Sequence, residues 1–186
     1  FLTSLLFPIV WIFQHLTNFI TRRAPKRPLI TEEEIRTFLR LGQVEGEITK
    51  EEQSMIQRIF KFDDITVSQI MTPRSEMLML PAKAKIKDLH ALARKRPLSR
   101  VPIFNEGHDD IIGVVYTKHA FRIKDSSRPI GVLVEPISFV PEDENLDNLL
   151  AQFKKRSESI AIAIDRKGKV TGLVTLRDLL EEIVGK

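Results

Sequence analysis

Two stretches of the sequence decide the fold, because one repeats the other. The stretch "LPAKAKIKDLHALARKR" (Leu80–Arg96) has the same pattern as "VPEDENLDNLLAQFKKR" (Val140–Arg156). In each, a proline follows one apolar residue, apolar residues then recur at helical spacing, and basic residues end the segment. This pattern predicts the end of a strand followed by an amphipathic helix. An internal repeat of this kind indicates two copies of one supersecondary unit.

The repeat continues beyond these helices. The stretch "RVPIF" (Arg100–Phe104) corresponds to "IAIAI" (Ile160–Ile164), and "IGVVYTKHAF" (Ile112–Phe121) corresponds to "TGLVTLRDLL" (Thr171–Leu180). The short segments "NEGHDD" and "DRKGK" between them predict hairpin turns. We therefore expect an α/β (α+β) fold with two small three-stranded sheets and their helices. A second copy, related to the first by a pseudo-twofold axis, is the economical way to cover the open face of each sheet.

The N-terminal stretch "FLTSLLFPIVWIFQHLTNFI" (Phe1–Ile20) is mostly apolar, although polar residues interrupt its second half. It is marginal as a membrane-spanning helix, which needs about 20 mostly apolar residues. The basic segment "TRRAPKRP" (Thr21–Pro28) follows it, and such residues beside a membrane segment mark the cytoplasmic side. We expect residues 1–24 to be the C-terminal end of a transmembrane domain. The alternative is a buried or interfacial amphipathic helix in a soluble protein.

Residues 25–63 read as an acidic helical linker. Thr31 with Glu34, and Thr49 with Glu52, have the spacing of capping boxes, and each pair precedes an apolar face at helical spacing. We expect two short acidic helices here. Gly42 and Gly46 are expected to end the first of them.

The composition narrows the range of functions. The sequence contains no cysteine, which excludes disulfides, thiolate catalysis and zinc–thiolate sites within it. The net charge of +4 and the basic segment are weak signs of nucleic-acid binding. No aromatic or basic face accompanies that segment, so we expect no nucleic-acid partner.

Catalytic signatures are also missing from the sequence. It has no phosphate-binding P-loop, no dinucleotide-binding glycine motif and no nucleophile elbow. The stretch "HDD" (His108–Asp110) falls in a predicted turn, where a solvated loop is a better interpretation than a metal site. Because nothing pairs a nucleophile with a general base, we expect a protein that is not an enzyme.

Thr175 and Asp178 lie where the last predicted strand meets the last helix. The spacing fits a relaxed capping box, in which each residue only satisfies the other. It also fits a nucleotide site, because Asp178 can accept hydrogen bonds from ribose hydroxyls while Thr175 offers its hydroxyl and N–H to a phosphate. The two residues alone leave both interpretations open.

Three motifs carry a resemblance to a known family: "IMTPR" (Ile70–Arg74), "SRVPIF" (Ser99–Phe104) and "GLVTLRDLLEEIVG" (Gly172–Gly185). Together with the repeat, they resemble a pair of cystathionine-β-synthase (CBS) motifs, also called a Bateman module. The chain as a whole is similar to the CorC/CNNM family of magnesium-transport membrane proteins. The resemblance implies that residues 64–125 form CBS motif 1 and that residues 126–186 form CBS motif 2.

The resemblance also implies an ATP site. The residues at the family's ATP-contacting positions are Thr72, Leu98, Ser99, Arg100, Leu173, Thr175 and Asp178. Arg100 is the natural phosphate partner, because a guanidinium fork suits phosphate oxygens. Mg²⁺ would bridge the phosphates and keep mostly water ligands, so no metal site is expected from the protein itself.

The two copies differ at these positions. The first copy has Tyr116 and His119 where the second has Thr175 and Asp178. A second nucleotide cleft is therefore expected to be weak or empty, with one nucleotide per module. Lys167 and Lys169 stand at positions that are usually uncharged in bacterial relatives, so the resemblance implies a more basic pocket rim here.

The resemblance implies the cytosolic Mg-ATP-binding regulatory region of a membrane magnesium transporter. Its implied partners are its own membrane domain and a second copy, paired through the CBS modules as a flat disc. The implied location is the cell membrane, with residues after about 24 in the cytoplasm. One alternative is an adenosine-ligand sensor, for AMP or S-adenosylmethionine, that regulates another protein. A second alternative is the regulatory insert of an enzyme.

Overall fold

The computed structural model describes residues 30–185. The chain divides into two compact units between Gln53 and Ser54. Within residues 30–185, no helix is both long and apolar enough to cross a membrane. The expected membrane-helix end at residues 1–24 lies outside the described residues.

The first unit contains helix α1 (Glu32–Glu45), and the two linker helices begin as predicted. The Thr31 N–H donates to the Glu34 carboxylate over 2.8 Å, and the Glu34 N–H donates to the Thr31 hydroxyl. Thr49 and Glu52 form the same kind of reciprocal pair at the start of helix α2 (Lys50–Lys61). Both predicted capping boxes are confirmed.

The prediction that Gly42 helps to end α1 is wrong. The helix continues to Glu45 and ends at Gly46, whose φ of 84° suits the left-handed end of a helix. Gly42 lies within the helix, where a Cβ would come 2.8 Å from Ile48 Cδ1. Gly42 therefore allows the chain after the helix to fold back closely against it.

The second unit begins at Ser54, within α2, and continues with a short segment and the first copy of the repeat. The segment contains helix α3 (Val67–Ile70) and strand β1 (Thr72–Pro73). The first copy consists of β2 (Leu80–Pro81), α4 (Ile86–Lys95), β3 (Arg100–Phe104), β4 (Ile111–Tyr116) and α5 (Thr117–Ala120). Its sheet has the order β2-β3-β4, with β2 parallel and β4 antiparallel to β3.

The second copy has the same order of elements. It consists of β5 (Ser138–Pro141), α6 (Leu146–Arg156), β6 (Ile160–Ile164), β7 (Val170–Thr175) and α7 (Leu176–Val184). The predicted tandem CBS fold is confirmed. The registers also agree, because Arg100 lies opposite Tyr116 in the first sheet as Ile160 lies opposite Thr175 in the second.

The second sheet has four strands in the order β1-β7-β6-β5, which corrects the expectation of three. The additional strand is β1, which pairs antiparallel with β7 so that Thr72 lies opposite Leu173. A Cβ on Gly172 would come 2.7 Å from the Thr72 carbonyl oxygen. Glycine at this position therefore lets β1 approach the edge of the sheet.

Each copy packs against the segment that precedes the other copy in the sequence. The Val67 N–H, in the segment before the first copy, donates to the Glu144 carbonyl in the second copy over 2.9 Å. The Ile130 N–H, in the segment before the second copy, donates to the Ala84 carbonyl in the first copy over 2.7 Å. A cut in the sequence between residues 125 and 126 would therefore leave each copy without one of its packing segments.

Three clusters of buried apolar side chains hold this unit together. Phe62 and Val67 join the core of the second copy, and Ile130 joins the core of the first. A third cluster unites β4 with β6 and β7 through Ile111, Ile162 and Val170. This shared cluster buries apolar surface from both sheets, as expected if each copy covers the open face of the other.

Candidate functional site

A cavity of about 550 Å³ opens where the two copies meet. This volume is typical of small-molecule sites. The cavity wall contains all the site residues predicted from the sequence, namely Thr72, Leu98, Ser99, Arg100, Leu173, Thr175 and Asp178. The structure therefore brings every one of these residues to a single cavity.

The topology explains why residues so far apart in sequence meet. Leu98, Ser99 and Arg100 lead into the central strand β3 of the first copy. Thr175 ends β7 of the second copy and caps α7. Because β1 pairs with β7, Thr72 is carried to the same wall as Leu173.

Thr175 and Asp178 form a reciprocal helix cap. Both the N–H and the hydroxyl of Thr175 donate to Asp178 Oδ2 over 2.7 Å, and the Asp178 N–H donates back to Thr175 Oγ1 over 3.3 Å. The other oxygen of the carboxylate, Oδ1, has no hydrogen-bond partner among residues 30–185. The cap thus occupies one oxygen of Asp178, and both donors of Thr175 are already used within the cap.

Arg100 carries a buried donor into the cavity wall. Its guanidinium carbon lies 4.8 Å from the centre of the Tyr116 ring, and its Nε is buried without a hydrogen-bond partner in the described part of the chain. An unsatisfied buried donor costs about 1–3 kcal/mol, and more when the group is charged. The position of Arg100 therefore favours an acceptor, and in particular an anionic one, in the cavity.

A side recess of about 200 Å³ adjoins the main cavity. It shares Thr72, Leu98, Arg100 and Leu173 with that cavity. Met77, Leu78 and Pro102 add apolar surface, and Glu76 and Arg96 add charged groups. A partly apolar recess next to a carboxylate and an arginine has the chemistry that a nucleotide base, its sugar and its phosphate each need.

Reasoning from the sequence missed several wall residues. Ser159 and Ile160 line the cavity, as does Arg177, whose side chain is 86% exposed and pairs with Glu181 over 2.7 Å. The repeat could have identified Ser159 and Ile160, because they occupy the positions of Ser99 and Arg100 in the other copy. The ion pair between Arg177 and Glu181 raises the pKa of Arg177, mainly through the hydrogen bond between the two side chains.

The corresponding region of the first copy is built differently. There Tyr116 ends β4 and His119 lies in α5, and Glu135 pairs with Val114 as Thr72 pairs with Leu173. His119 Nδ1 lies 3.1 Å from Glu135 Oε1, so these two side chains contact each other. The weak or empty second cleft remains a prediction.

Within residues 30–185, no three histidine or acidic side chains lie close enough together to hold a metal ion. In the "HDD" turn, the His108 ring packs against Phe104, and Asp109 lies 3.5 Å from Arg74.

Comparisons with known proteins point to one family. Residues 67–126 and 128–185 each match the CBS domain, and residues 1–52 match the Cyclin M transmembrane N-terminal domain, CNNM. The solved CBS domain of a bacterial CNNM/CorC family Mg²⁺ transporter is 37% identical, with a TM-score of 0.78 over 85% of this chain and 98% of that chain. A structure of such a domain in complex with ATP is 38% identical, with a TM-score of 0.70 over 73% of this chain and 99% of that chain.

A curated relative matches along nearly the whole chain. A UPF0053 protein of Mycobacterium tuberculosis is 33% identical over 190 residues, which are 98% of this chain and 44% of that protein. Among such relatives, the share of the full length that the chain spans runs from 30% to 54%.

Proposed function

This chain belongs to the CNNM/CorC family, and from that premise we propose that it is the Mg-ATP-binding regulatory part of a membrane magnesium transporter. Residues 64–125 and 126–186 act as the two CBS motifs, and the nucleotide binds between them. Residues 1–24 are the end of the transmembrane domain, and the chain after about residue 24 is cytoplasmic. The observation that carries the proposal is the single cavity in which residues of both copies, including Arg100 and Asp178, converge.

Asp178 is the ribose-binding residue. Its Oδ1 is available to accept hydrogen bonds from ribose hydroxyls, while Oδ2 stays in the helix cap. Thr175 orients this carboxylate, and it does not serve as a phosphate donor while both of its donors point to Asp178. Binding and capping therefore support each other, because the cap fixes the carboxylate that the sugar meets.

Arg100 and Ser99 take the phosphate end of the nucleotide. The buried Nε of Arg100 gains an acceptor when a phosphate enters the cavity, which supports this assignment. The adenine fits the apolar recess near Leu98 and Leu173. Mg²⁺ would accompany the nucleotide and would neutralise part of the phosphate charge near Arg100 and Ser99.

Regulation requires that ATP prefer one arrangement of the module, because a ligand with equal affinity for two states shifts neither. We assign the two arrangements to a homodimer formed through the CBS modules. The acidic helices α1 and α2 transmit the change to the membrane domain. We expect ATP to be bound and not hydrolysed, because the Thr175 hydroxyl and the Asp178 carboxylate at the cavity are engaged with each other in the helix cap.

Isothermal calorimetry of the purified chain with Mg-ATP tests the site. Asp178→Ala removes the acceptor for the ribose and should weaken binding roughly 10-fold to 100-fold, as expected for a hydrogen bond to a charged group. Thr175→Ile should also weaken binding, because it removes the hydroxyl that orients the carboxylate.

Asp88→Ala is the matched control. Asp88 accepts the Lys85 N–H at the start of α4 as Asp178 accepts the Thr175 N–H at the start of α7, but it does not line the cavity. Unchanged ATP affinity in Asp178→Ala would refute the site. Tighter binding of AMP or S-adenosylmethionine than of Mg-ATP would favour the alternative sensor.

A further inference from the structure

Other residues of the first copy lie next to Arg100, outside the cavity wall. The positions that hold Thr72, Thr175 and Asp178 in the second copy hold Glu135, Tyr116 and His119 in the first. Their side chains form a continuous series of contacts that ends at Arg100. Glu135 Oε1 lies 3.1 Å from His119 Nδ1, and the His119 and Tyr116 ring centroids are 5.2 Å apart.

Tyr116 contacts the guanidinium of Arg100 through its ring. In the strand register, Tyr116 lies directly opposite Arg100, and the guanidinium carbon is 4.8 Å from the ring centre. Within residues 30–185, Arg100 forms no side-chain hydrogen bond or ion pair. The ring face is therefore the attractive contact that holds the arginine in place.

A fixed arginine binds an anion better than a mobile one, because less side-chain freedom is lost on binding. An aromatic ring suits this task, since it attracts the cation without offering a carboxylate that would compete with a phosphate. His119 packs on the ring of Tyr116 and is itself held by Glu135. Tyr116 thus contacts the arginine directly, and His119 and Glu135 support Tyr116 in turn.

We propose that Tyr116, supported by His119 and Glu135, is a positioning residue that prepares Arg100 for the nucleotide phosphate. The proposal rests on the function proposed above and deepens it. In the first copy, these three residues replace the ones that form the nucleotide site in the second copy. They support the site of the second copy instead. The face of the Tyr116 ring carries the effect, and its hydroxyl does not.

Calorimetry with Mg-ATP on the full chain provides the test. Tyr116→Leu removes the ring face and should weaken binding roughly 2-fold to 10-fold, the range expected for loss of a cation–π contact. Tyr116→Phe retains the ring face and should restore most of the affinity. In an Arg100→Ala background, Tyr116→Leu should have no further effect, because the arginine that it positions is gone.

A control variant separates positioning from general packing. Phe121→Leu removes another ring of the first copy, which stacks on His90 with centroids 4.5 Å apart and is 52% exposed. This change should leave ATP affinity unaltered. His119→Ala, a milder change at a half-exposed side chain, should weaken binding in the same direction as Tyr116→Leu and also lose its effect without Arg100.

A measurement on the ligand-free chain makes the inference independent of ATP. The Nε–H resonance of Arg100 should show a ring-current shift in the wild type and in Tyr116→Phe that disappears in Tyr116→Leu. Equal losses of affinity from Tyr116→Leu with and without Arg100, or an unshifted Arg100 resonance, would overturn the inference. If Arg100→Ala weakens ATP binding and Tyr116→Leu does not, the proposed function stands and the positioning role falls.

Discussion

At the scale of the residue, one kind of polar pair recurs with different consequences. Thr31 with Glu34, Thr49 with Glu52 and Thr175 with Asp178 all form reciprocal caps at the start of a helix. The third pair lies on a cavity wall. The spacing of a threonine and an acid therefore predicts the cap reliably, but the surroundings decide whether the acid also meets a ligand.

The Thr49–Glu52 pair yields a prediction for pH. Hydrogen bonds from the backbone N–H and then from the hydroxyl of Thr49 lower the pKa of the Glu52 carboxyl. A lowered pKa in the folded state means that the contribution of this cap to stability is present above the ordinary pKa of about 4.3. The contribution is lost as the pH falls through the lower value of the folded chain.

Thr49→Ala should therefore raise the pKa of Glu52 part of the way to its ordinary value, because the backbone donor remains. Carbon-13 NMR titration of the carboxyl group measures this change directly. Thr37→Ala is the control, since the Thr37 hydroxyl donates to the Glu33 carbonyl and not to a carboxylate. A pKa for Glu52 that does not respond to Thr49→Ala would contradict the prediction.

At the scale of the element, the two-residue strand β1 matters most. It extends the second sheet and brings Thr72 to the cavity, and Gly172 provides the space for it. Sequence patterns could not predict this strand, because two residues are too few to show the alternation that identifies a strand. The longer strands of both copies did show their pattern, and the structure contains them.

Gly172→Ala tests the role of β1. The added Cβ would come 2.5 Å from Met71 Sδ and 2.7 Å from the Thr72 carbonyl oxygen. Overpacking of this kind costs about 1–3 kcal/mol in the free energy of unfolding, and displacement of Thr72 should also weaken ATP binding. Urea unfolding and calorimetry measure the two effects.

Gly107→Ala is the matched control for that change. Gly107 lies in the first hairpin turn, and a Cβ there would have no neighbour within 4 Å. This variant should keep both stability and ATP affinity. If Gly172→Ala behaved in the same way, the close approach of β1 would have no functional importance.

At the scale of the whole molecule, helix α7 connects the cavity to the linker. Its first turn carries Thr175 and Asp178, and the carbonyls of its last turn accept hydrogen bonds from Arg58 on α2. A cation at a helix C-terminus is favourable, because the free carbonyls there carry partial negative charge. One side chain thus links the linker helix to the helix that holds the proposed ribose-binding carboxylate.

Arg58→Ala should separate binding from communication. We expect ATP affinity to change less than 3-fold, since Arg58 does not line the cavity. Hydrogen exchange of residues 54–61 should slow on addition of Mg-ATP in the wild type and should not respond in the variant. The same ATP-dependent slowing in both proteins would exclude this route between cavity and linker.

Some parts of the site could be predicted from the sequence and others could not, depending on whether a motif or the repeat marks the residues. The repeat predicted the fold, and the resemblance to the CorC/CNNM family then implied that Arg100 and Asp178 share one site, as their common cavity wall agrees. The link from Arg58 to Ile183, and the contact of Tyr116 with Arg100, depend on the packing of side chains that no short motif marks. Residues that line the cavity were therefore easier to predict than residues that contact them from outside its wall.

Because each copy packs against the segment before the other copy, the two cores are completed at different times during synthesis. Ile130 follows the first copy closely, so the core of that copy is complete soon after it leaves the ribosome. Val67 must wait for Glu144, about 75 residues later, which takes roughly 4–15 s at ordinary elongation rates. Throughout that interval the apolar side chains of Phe62 and Val67 have no native core to enter. The nascent chain thus exposes them to chaperones until the second half emerges and completes the fold.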